Sequence, residues 1–316
     1  MPSGKRILVI RNPASGQGDP EELRETLEAY LDDKGVTYEI RETEGDGDAL
    51  KWAQEAKDVD LVIASGGDGT IMEAMSGLIK NNLPIPLAQL PAGTANLLAR
   101  AFGIPTDPTE ALEVALNGVA VSTDVGYLPD QDRYFALVAG AGWHAQLVED
   151  ASRDLKNRLG VFAYVVTGVK NLFQLRRSRI DLEIDGKHEQ YRANTVMIIN
   201  VGEIVGIDHK MGEGISAHDG KLNLSIASPQ TLFEVLRLTF RMLTKQYDSY
   251  SDLKYFSATS IKVTATPPLE VQIDGESIGQ TPLYAEAVPD GALLMVPQAY
   301  AKDKGLKDIR PTNLSN

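Results

Sequence analysis

The six residues Ser65-Gly66-Gly67-Asp68-Gly69-Thr70 constrain this chain more than any others. They follow the apolar run Leu61-Val62-Ile63-Ala64 and precede a helical pattern of Ile71, Met75, Leu78 and Ile79. Glycines around one carboxylate at a strand end make a turn whose backbone N–H groups can face an anion, with no β-carbons in the way. A helix that begins directly afterwards adds its unpaired N-terminal amides and the positive end of its dipole. Taken alone, such a turn fits either a phosphate cradle or an ordinary strand-to-helix connection.

Two further loops repeat the logic. Asn12-Pro13-Ala14-Ser15-Gly16-Gln17-Gly18 follows the strand Ile7-Leu8-Val9-Ile10 and precedes a helical segment from Pro20. Leu90-Pro91-Ala92-Gly93-Thr94-Ala95-Asn96 follows the strand-like Pro86-Leu87-Ala88-Gln89 and precedes a helix from Leu97 to Phe102. In an open parallel sheet the carboxyl ends of the strands share one rim, so the three loops are expected to converge on one crevice that binds a nucleotide.

Regular alternation of strands and helices from Lys5 to about Leu128 predicts a doubly wound parallel α/β domain. Its helices carry Leu23, Leu27 and Leu31, then Asp48, Trp52 and Ala56, then the segment after Thr70. Asp107-Pro108-Thr109-Glu110 is suited to open another helix, running to Asn117. Beyond Leu128 the character changes. Tyr134 to Gly142 reads as one strand, and further runs follow at Ile180–Ile184, Tyr191–Gly202, Leu222–Ala227, Ser260–Ala265, Glu270–Ile273, Leu283–Val288 and Ala292–Val296. These predict a mainly antiparallel second domain, interrupted by a helix over Thr231–Thr244. The domain expectation is therefore 1–128 for the α/β part and 129–296 for the β part. The tail 297–316 is read as either disordered or docked back onto the first domain.

Bulk properties restrict the function classes. A chain of 316 residues is comfortable for two domains. It contains no cysteine, which removes disulfides, thiolate metal sites and cysteine nucleophiles. A net charge of −13 argues against a nucleic-acid partner. With no signal-peptide core and no apolar run near the roughly 20 residues of a membrane span, the expected location is the cytoplasm. One segment departs from the acidic average. Arg153, Lys156, Arg158, Lys170, Arg176, Arg177 and Arg179 interleave with apolar residues such as Leu155, Phe162 and Leu172. This pattern suits a solvated helix face over a core, or a face resting on an anionic membrane surface.

The assembled motifs resemble the diacylglycerol kinase and sphingosine kinase superfamily, in particular its soluble bacterial lipid kinases. The resemblance rests on Asn12 to Gly16, Gly66 to Thr70, Pro91 to Asn96, Asp124-Val125-Gly126, Asp219-Gly220 and Asp274-Gly275-Glu276 in that order, and it covers essentially the whole chain. It implies an ATP-binding α/β domain, a C-terminal antiparallel β-sandwich and an active-site cleft between them. The activity it implies is ATP- and Mg²⁺-dependent phosphorylation of a lipid hydroxyl.

Carried over residue by residue, the resemblance implies ATP contacts from Asn12, Pro13, Ala14, Ser15, Gly16, Thr43, Gly66, Gly67, Asp68, Gly69, Thr70, Ile71, Met72, Gly93 and Thr94. Asp68 would lie beside the phosphates and hold a catalytic Mg²⁺ through water. Glu276 resembles the general base that takes the proton from the lipid hydroxyl. Asp219, with the carbonyls of Ser216 and Lys221, resembles the holder of a structural Mg²⁺. Arg100 and Asp124 resemble polar residues of the cleft, or alternatively an interdomain ion pair. His144 lies where the acceptor cleft would begin, and Trp143 and Phe162 are read as core or as walls of a lipid channel. Leu97 departs from the pattern, since diacylglycerol-specific bacterial members carry an acid there. The acceptor is consequently open among diacylglycerol-like lipids, phosphatidylglycerol and sphingoid bases. The expected partners are a membrane lipid and a peripherally contacted anionic membrane surface, with a homodimer also open to the chain. The rival readings are an NAD kinase, which shares the Gly66–Thr70 type of turn, and a non-catalytic nucleotide or lipid sensor.

Overall fold

The computed structural model describes residues 6–16, 19–142, 177–204, 209–210, 215–228 and 254–310. Trp143, His144, Phe162, the basic run from Arg153 to Arg176, the helix expected over Thr231–Thr244 and the tail beyond 310 lie outside the described residues. The chain divides into two compact units. The first holds residues up to Thr123 together with those from Asp290 onward, and the second is built mainly from Asp124 to Pro289.

In the first unit the elements run β1 (Arg6–Arg11), α1 (Pro20–Asp33), β2 (Thr37–Glu42), α2 (Asp48–Gln54), β3 (Leu61–Gly66), α3 (Asp68–Lys80), β4 (Leu87–Pro91), α4 (Leu97–Ala101) and α5 (Pro108–Asn117). Strand β1 pairs in parallel with β2 on one side and β3 on the other, and β4 continues parallel to β3. Ile7 to Ile10 and Val62 to Ala64 are all within 2% of full burial. Such continuous apolar strands belong to a parallel sheet covered on both faces. The helices supply that cover: Leu27 and Leu31 of α1, Ile71, Ala74, Met75 and Leu78 of α3, and Ala111, Leu112, Ala115 and Leu116 of α5 are buried. Asp19 and Asp107 each precede a proline at the helix start and cap α1 and α5 by accepting from the amides of Glu21 and Glu110. After β1 the chain turns to β2, and after β2 it crosses back to β3. The direction of winding therefore reverses between β1 and β3, which is where open α/β sheets place their ligands.

Strand β5 (Val119–Leu128) leads into the second unit. There follow β6 (Arg133–Phe135), β7 (Val138–Gly142), β8 (Ser178–Ile184), β9 (Lys187–Ala193), β10 (Thr195–Ile199), β11 (Glu203–Ile204), β12 (His209–Lys210), β13 (Leu222–Ala227), β14 (Lys254–Ala258), β15 (Ser260–Thr266), β16 (Glu270–Ile273), β17 (Glu276–Gln280) and β18 (Leu283–Val296). The short helix α6 (Gln298–Asp303) comes last. One antiparallel sheet has the order β14-β13-β10-β7-β16-β17. Strands β9, β8, β15 and the first half of β18 form a second antiparallel layer. Side chains alternate along β8 and β15, and Leu182, Ile184, Ile261 and Val263 meet Val196, Ile198, Leu224 and Ile273 of the first sheet in one core. Two antiparallel layers around a shared core make a β-sandwich. The far end of β18 returns to the first unit, where Leu294 pairs with Leu87 of β4. There the ring of Tyr300 on α6 packs 5.8 Å from that of Phe102, and the amide of Ile309 donates to the carbonyl of Ala120.

Several element boundaries differ from the sequence reading. Tyr134 to Gly142 is two strands, because the Asp274 carboxylate takes the amides of Ala136, Leu137 and Val138 out of any ladder. Tyr191 to Gly202 also breaks, at buried Asn194, where the chain leaves one layer at β9 and enters the other at β10. Conversely, Leu283–Val288 and Ala292–Val296 form one strand, which continues through Pro289 and Asp290 despite a left-handed Asp290 at φ 51°. Strands β14 and β17 and helix α6 carry no strong apolar pattern and were not expected.

Candidate active site

The loops after β1, β3 and β4 meet on one rim of the first unit. The Asn12 amide donates to the Ser65 carbonyl at 2.8 Å, and its side-chain Nδ2 donates to Thr70 Oγ1 at 3.1 Å. Ser15 Oγ accepts from the Gly67 amide at 3.3 Å, and Gly16 lies against the Ala92 carbonyl. The Ala92 amide in turn donates to the Gly66 carbonyl at 2.8 Å. Gly93 and Gly67 face each other backbone to backbone. A β-carbon on Gly93 would lie 2.6 Å from the Gly67 α-carbon, so only glycine lets these two loops come together.

Asn96 locks the third loop. It sits in the left-handed region at φ 49°, accepts from the Gly93 amide at 2.8 Å and donates to the Gly93 carbonyl at 2.9 Å. The sequence reading placed Asn96 in a motif but gave it no role of its own. Its signal was the residue type, since asparagine tolerates left-handed backbone better than most.

Asp68 opens α3, and Gly67, which precedes it, caps the helix without any side-chain hydrogen bond. The carboxylate reaches across to α4, where Oδ2 accepts from the Leu97 amide at 3.1 Å and Oδ1 from the Leu98 amide at 2.8 Å. Leu97 therefore contributes its amide and no charge. A carboxylate offers about four acceptor positions, so two remain for a cation, directly or through water. Thr94 and Ala14 are exposed, while Pro13 and Met72 are partly exposed. Ile71 is fully buried, so its side chain is part of the core, and its amide donates to the Gly67 carbonyl. Thr43 sits one residue beyond β2, its amide held by the Arg11 carbonyl at 2.8 Å. Arg100, in the last turn of α4, has a buried Nε with no hydrogen-bond partner among the described residues.

The second unit holds the remaining candidates in two clusters. Asp124 is 3% exposed and organises the Ser216–Lys221 loop. Its Oδ2 accepts from the Gly220 amide at 2.7 Å, and its own amide donates to the Ala217 carbonyl at 2.7 Å. Asp219 accepts from the Lys221 amide at 3.0 Å, and its carboxyl is held above the usual range by desolvation and by the nearby Asp124 charge. Two acids from β5 and the loop, crowded together, suit a cation, for which Asp219 with the Ser216 and Lys221 carbonyls is the candidate set. Among the described residues no group of three or more His, Asp or Glu side chains forms a metal cluster.

Glu276 begins β17, with its side chain 56% exposed and paired to Arg133 of β6. Arg133 was not anticipated, for it lies 143 residues away and no local pattern points to it. Among the described residues no helix is long and apolar enough to cross a membrane.

Comparison with known proteins agrees with this architecture. Residues 6–128 match the family model described as the diacylglycerol kinase catalytic domain, and residues 137–296 match the YegS C-terminal NAD kinase beta sandwich-like domain. A diacylglycerol kinase of Bacillus subtilis (strain 168) is 33% identical over 282 residues, covering 88% of this chain and 92% of that one. A diacylglycerol kinase of Staphylococcus aureus (strain bovine RF122 / ET3-1) is 29% identical over 281 residues, covering 88% of each. Among solved structures, a Bacillus anthracis str. Sterne protein superposes with a TM-score of 0.77 at 25% identity, covering 95% of this chain and all of that one. With matched models over both units, and a relative of this identity along nearly its whole length, the chain belongs to the diacylglycerol kinase family.

Proposed function

We propose that this protein transfers the γ-phosphate of ATP to a hydroxyl group of a membrane lipid, with Mg²⁺ as the accompanying cation. The observation that carries the proposal is the rim of the first unit. There, glycine loops from three parallel strands surround a single carboxylate, Asp68, pinned by the Leu97 and Leu98 amides. Backbone amides and the α3 N-terminus favour the phosphates, and Asp68 holds the cation that accompanies them. When bound, the cation draws charge from the phosphoryl oxygens; the loops and Asp68 fix where those oxygens lie. Glu276 takes the proton from the acceptor hydroxyl as its oxygen attacks phosphorus, a role open to a carboxylate within hydrogen-bond reach. Asp219 and the Ser216 and Lys221 carbonyls hold a second cation that keeps their loop in shape. Arg177 and Arg179, the described members of the basic run, meet the anionic headgroups of the bilayer that contains the acceptor.

The test is transfer of labelled γ-phosphate from ATP and Mg²⁺ to diacylglycerol, monoacylglycerol, phosphatidylglycerol, sphingosine, ceramide and NAD, with Glu276→Gln as control. A labelled lipid that is absent with the variant is the expected result. Label on NAD alone would instead support the second reading, an NAD kinase.

A further inference from the structure

Glu276 has a largely exposed side chain, yet its own turn and the strand that carries its partner Arg133 are both anchored. On one side Asp274, in the left-handed region at φ 44°, accepts from the Ala136, Leu137 and Val138 amides at 2.9, 3.1 and 2.8 Å, and its own amide donates to the Val138 carbonyl at 2.9 Å. The turn before Glu276 and the stretch from β6 to β7 are thus one piece. On the other side β6 is fixed against β5 by a flat contact. Phe135, fully buried, packs on Gly126, where a β-carbon would lie 2.1 Å from the ring. The neighbouring Tyr127 and Tyr134 rings pack with centroids 4.8 Å apart, tilted by 33°, and Tyr127 Oη donates to Asp132 at 3.0 Å. Arg133 projects from this anchored strand, and its Nη2 meets Glu276 Oε2. Among the described residues the other oxygen of Glu276 has no hydrogen-bond partner.

A glutamate has three rotatable bonds, and in the open it spreads over many rotamers. A guanidinium carried on an anchored strand restricts that freedom through a charge-assisted bond. We propose that Arg133 is a positioning residue for Glu276, holding one carboxylate oxygen so that the other is presented to the acceptor hydroxyl. This inference rests on the assignment of Glu276 as the base.

The test is steady-state kinetics of Arg133→Ala, Arg133→Lys, Glu276→Gln and the Arg133→Ala/Glu276→Gln pair in the full chain. The acceptor is whichever of diacylglycerol, phosphatidylglycerol and sphingosine takes most label, and circular dichroism checks that each variant folds. A misdirected base costs about 10- to 100-fold in rate. Arg133→Ala should therefore lower kcat by that factor with the KM for ATP unchanged, Arg133→Lys should recover part of the loss, and Arg133→Ala should add nothing in the Glu276→Gln background. The inference alone is overturned if Arg133→Ala raises the KM for ATP while sparing kcat, or slows the Glu276→Gln enzyme as much as the wild type. If Glu276→Gln is fully active, or no acceptor takes label, the underlying assignment falls and this inference with it.

Discussion

Asp68 carries two tasks that a single substitution mixes. Its oxygens cap the amides of Leu97 and Leu98, and its charge is assigned to the cation beside the phosphates. Asp68→Ala should lose activity and also about 1–3 kcal/mol of stability, because two partly buried amides are left without acceptors. Asp68→Asn keeps one of the two acceptor oxygens and sets an NH2 donor against the other amide, so its denaturation midpoint should fall between those of Asp68→Ala and the wild type while activity still disappears. Equal loss of stability in both variants, measured by urea titration, would contradict the capping role. The glycines and Asp68 were legible in sequence because three loops of that kind follow successive strands of one parallel sheet, where a single such turn would fit an ordinary strand-to-helix connection equally well. The acceptor amides on Leu97 and Leu98 were not legible, since any residue type carries an amide.

Helices α1 and α5 are joined by a hydrogen bond from Tyr30 Oη to Glu113 at 2.5 Å, and Asn117 donates to the same carboxylate at 2.8 Å. The Tyr30 bond holds the Glu113 carboxyl below its ordinary range, with Asn117 adding to the effect. Burial and the same bond hold the Tyr30 phenol well above its own range. A lowered carboxyl pKa contributes stability above the unfolded value of about 4.3, lost as the pH falls through the folded value. A raised phenol pKa contributes below the unfolded value of about 10, lost as the pH rises through the folded one. Tyr30→Phe should therefore cost about 1 kcal/mol at neutral pH. The gap to wild type should close toward both acid and alkaline pH, and a gap independent of pH in chemical denaturation would remove the bond from this role. At this scale the sequence showed helices and strands of the first unit through their apolar periods and, for α5, through its Asp107-Pro108 start. It did not show β6 parting from β7, because that break is imposed by Asp274, far away in the chain.

For the molecule as a whole, the proposed encounter with a bilayer sets an acidic chain of net charge −13 against an anionic surface. The contact must then come from a local basic patch, where each arginine near the surface contributes about 1 kcal/mol. Arg179 already shares its charge with Asp181 at 3.0 Å, which weakens its part. Arg177→Glu/Arg179→Glu should lower cosedimentation with phosphatidylglycerol vesicles, more strongly at low salt than at high, since screening weakens exposed charges. Unchanged cosedimentation would return these residues to an ordinary solvated face. The sequence by itself determined the two-part plan, the parallel and antiparallel classes of sheet and the glycine loops, because local periodicity and turn chemistry specify elements through near neighbours. Only the tertiary structure decided which partners those loops acquire. The cap that Asp68 makes on α4, the Asp124 hold on the Gly220 loop and the Arg133 grip on Glu276 join residues 29, 96 and 143 positions apart. Such pairings follow from strand order and register, which no local stretch of sequence encodes.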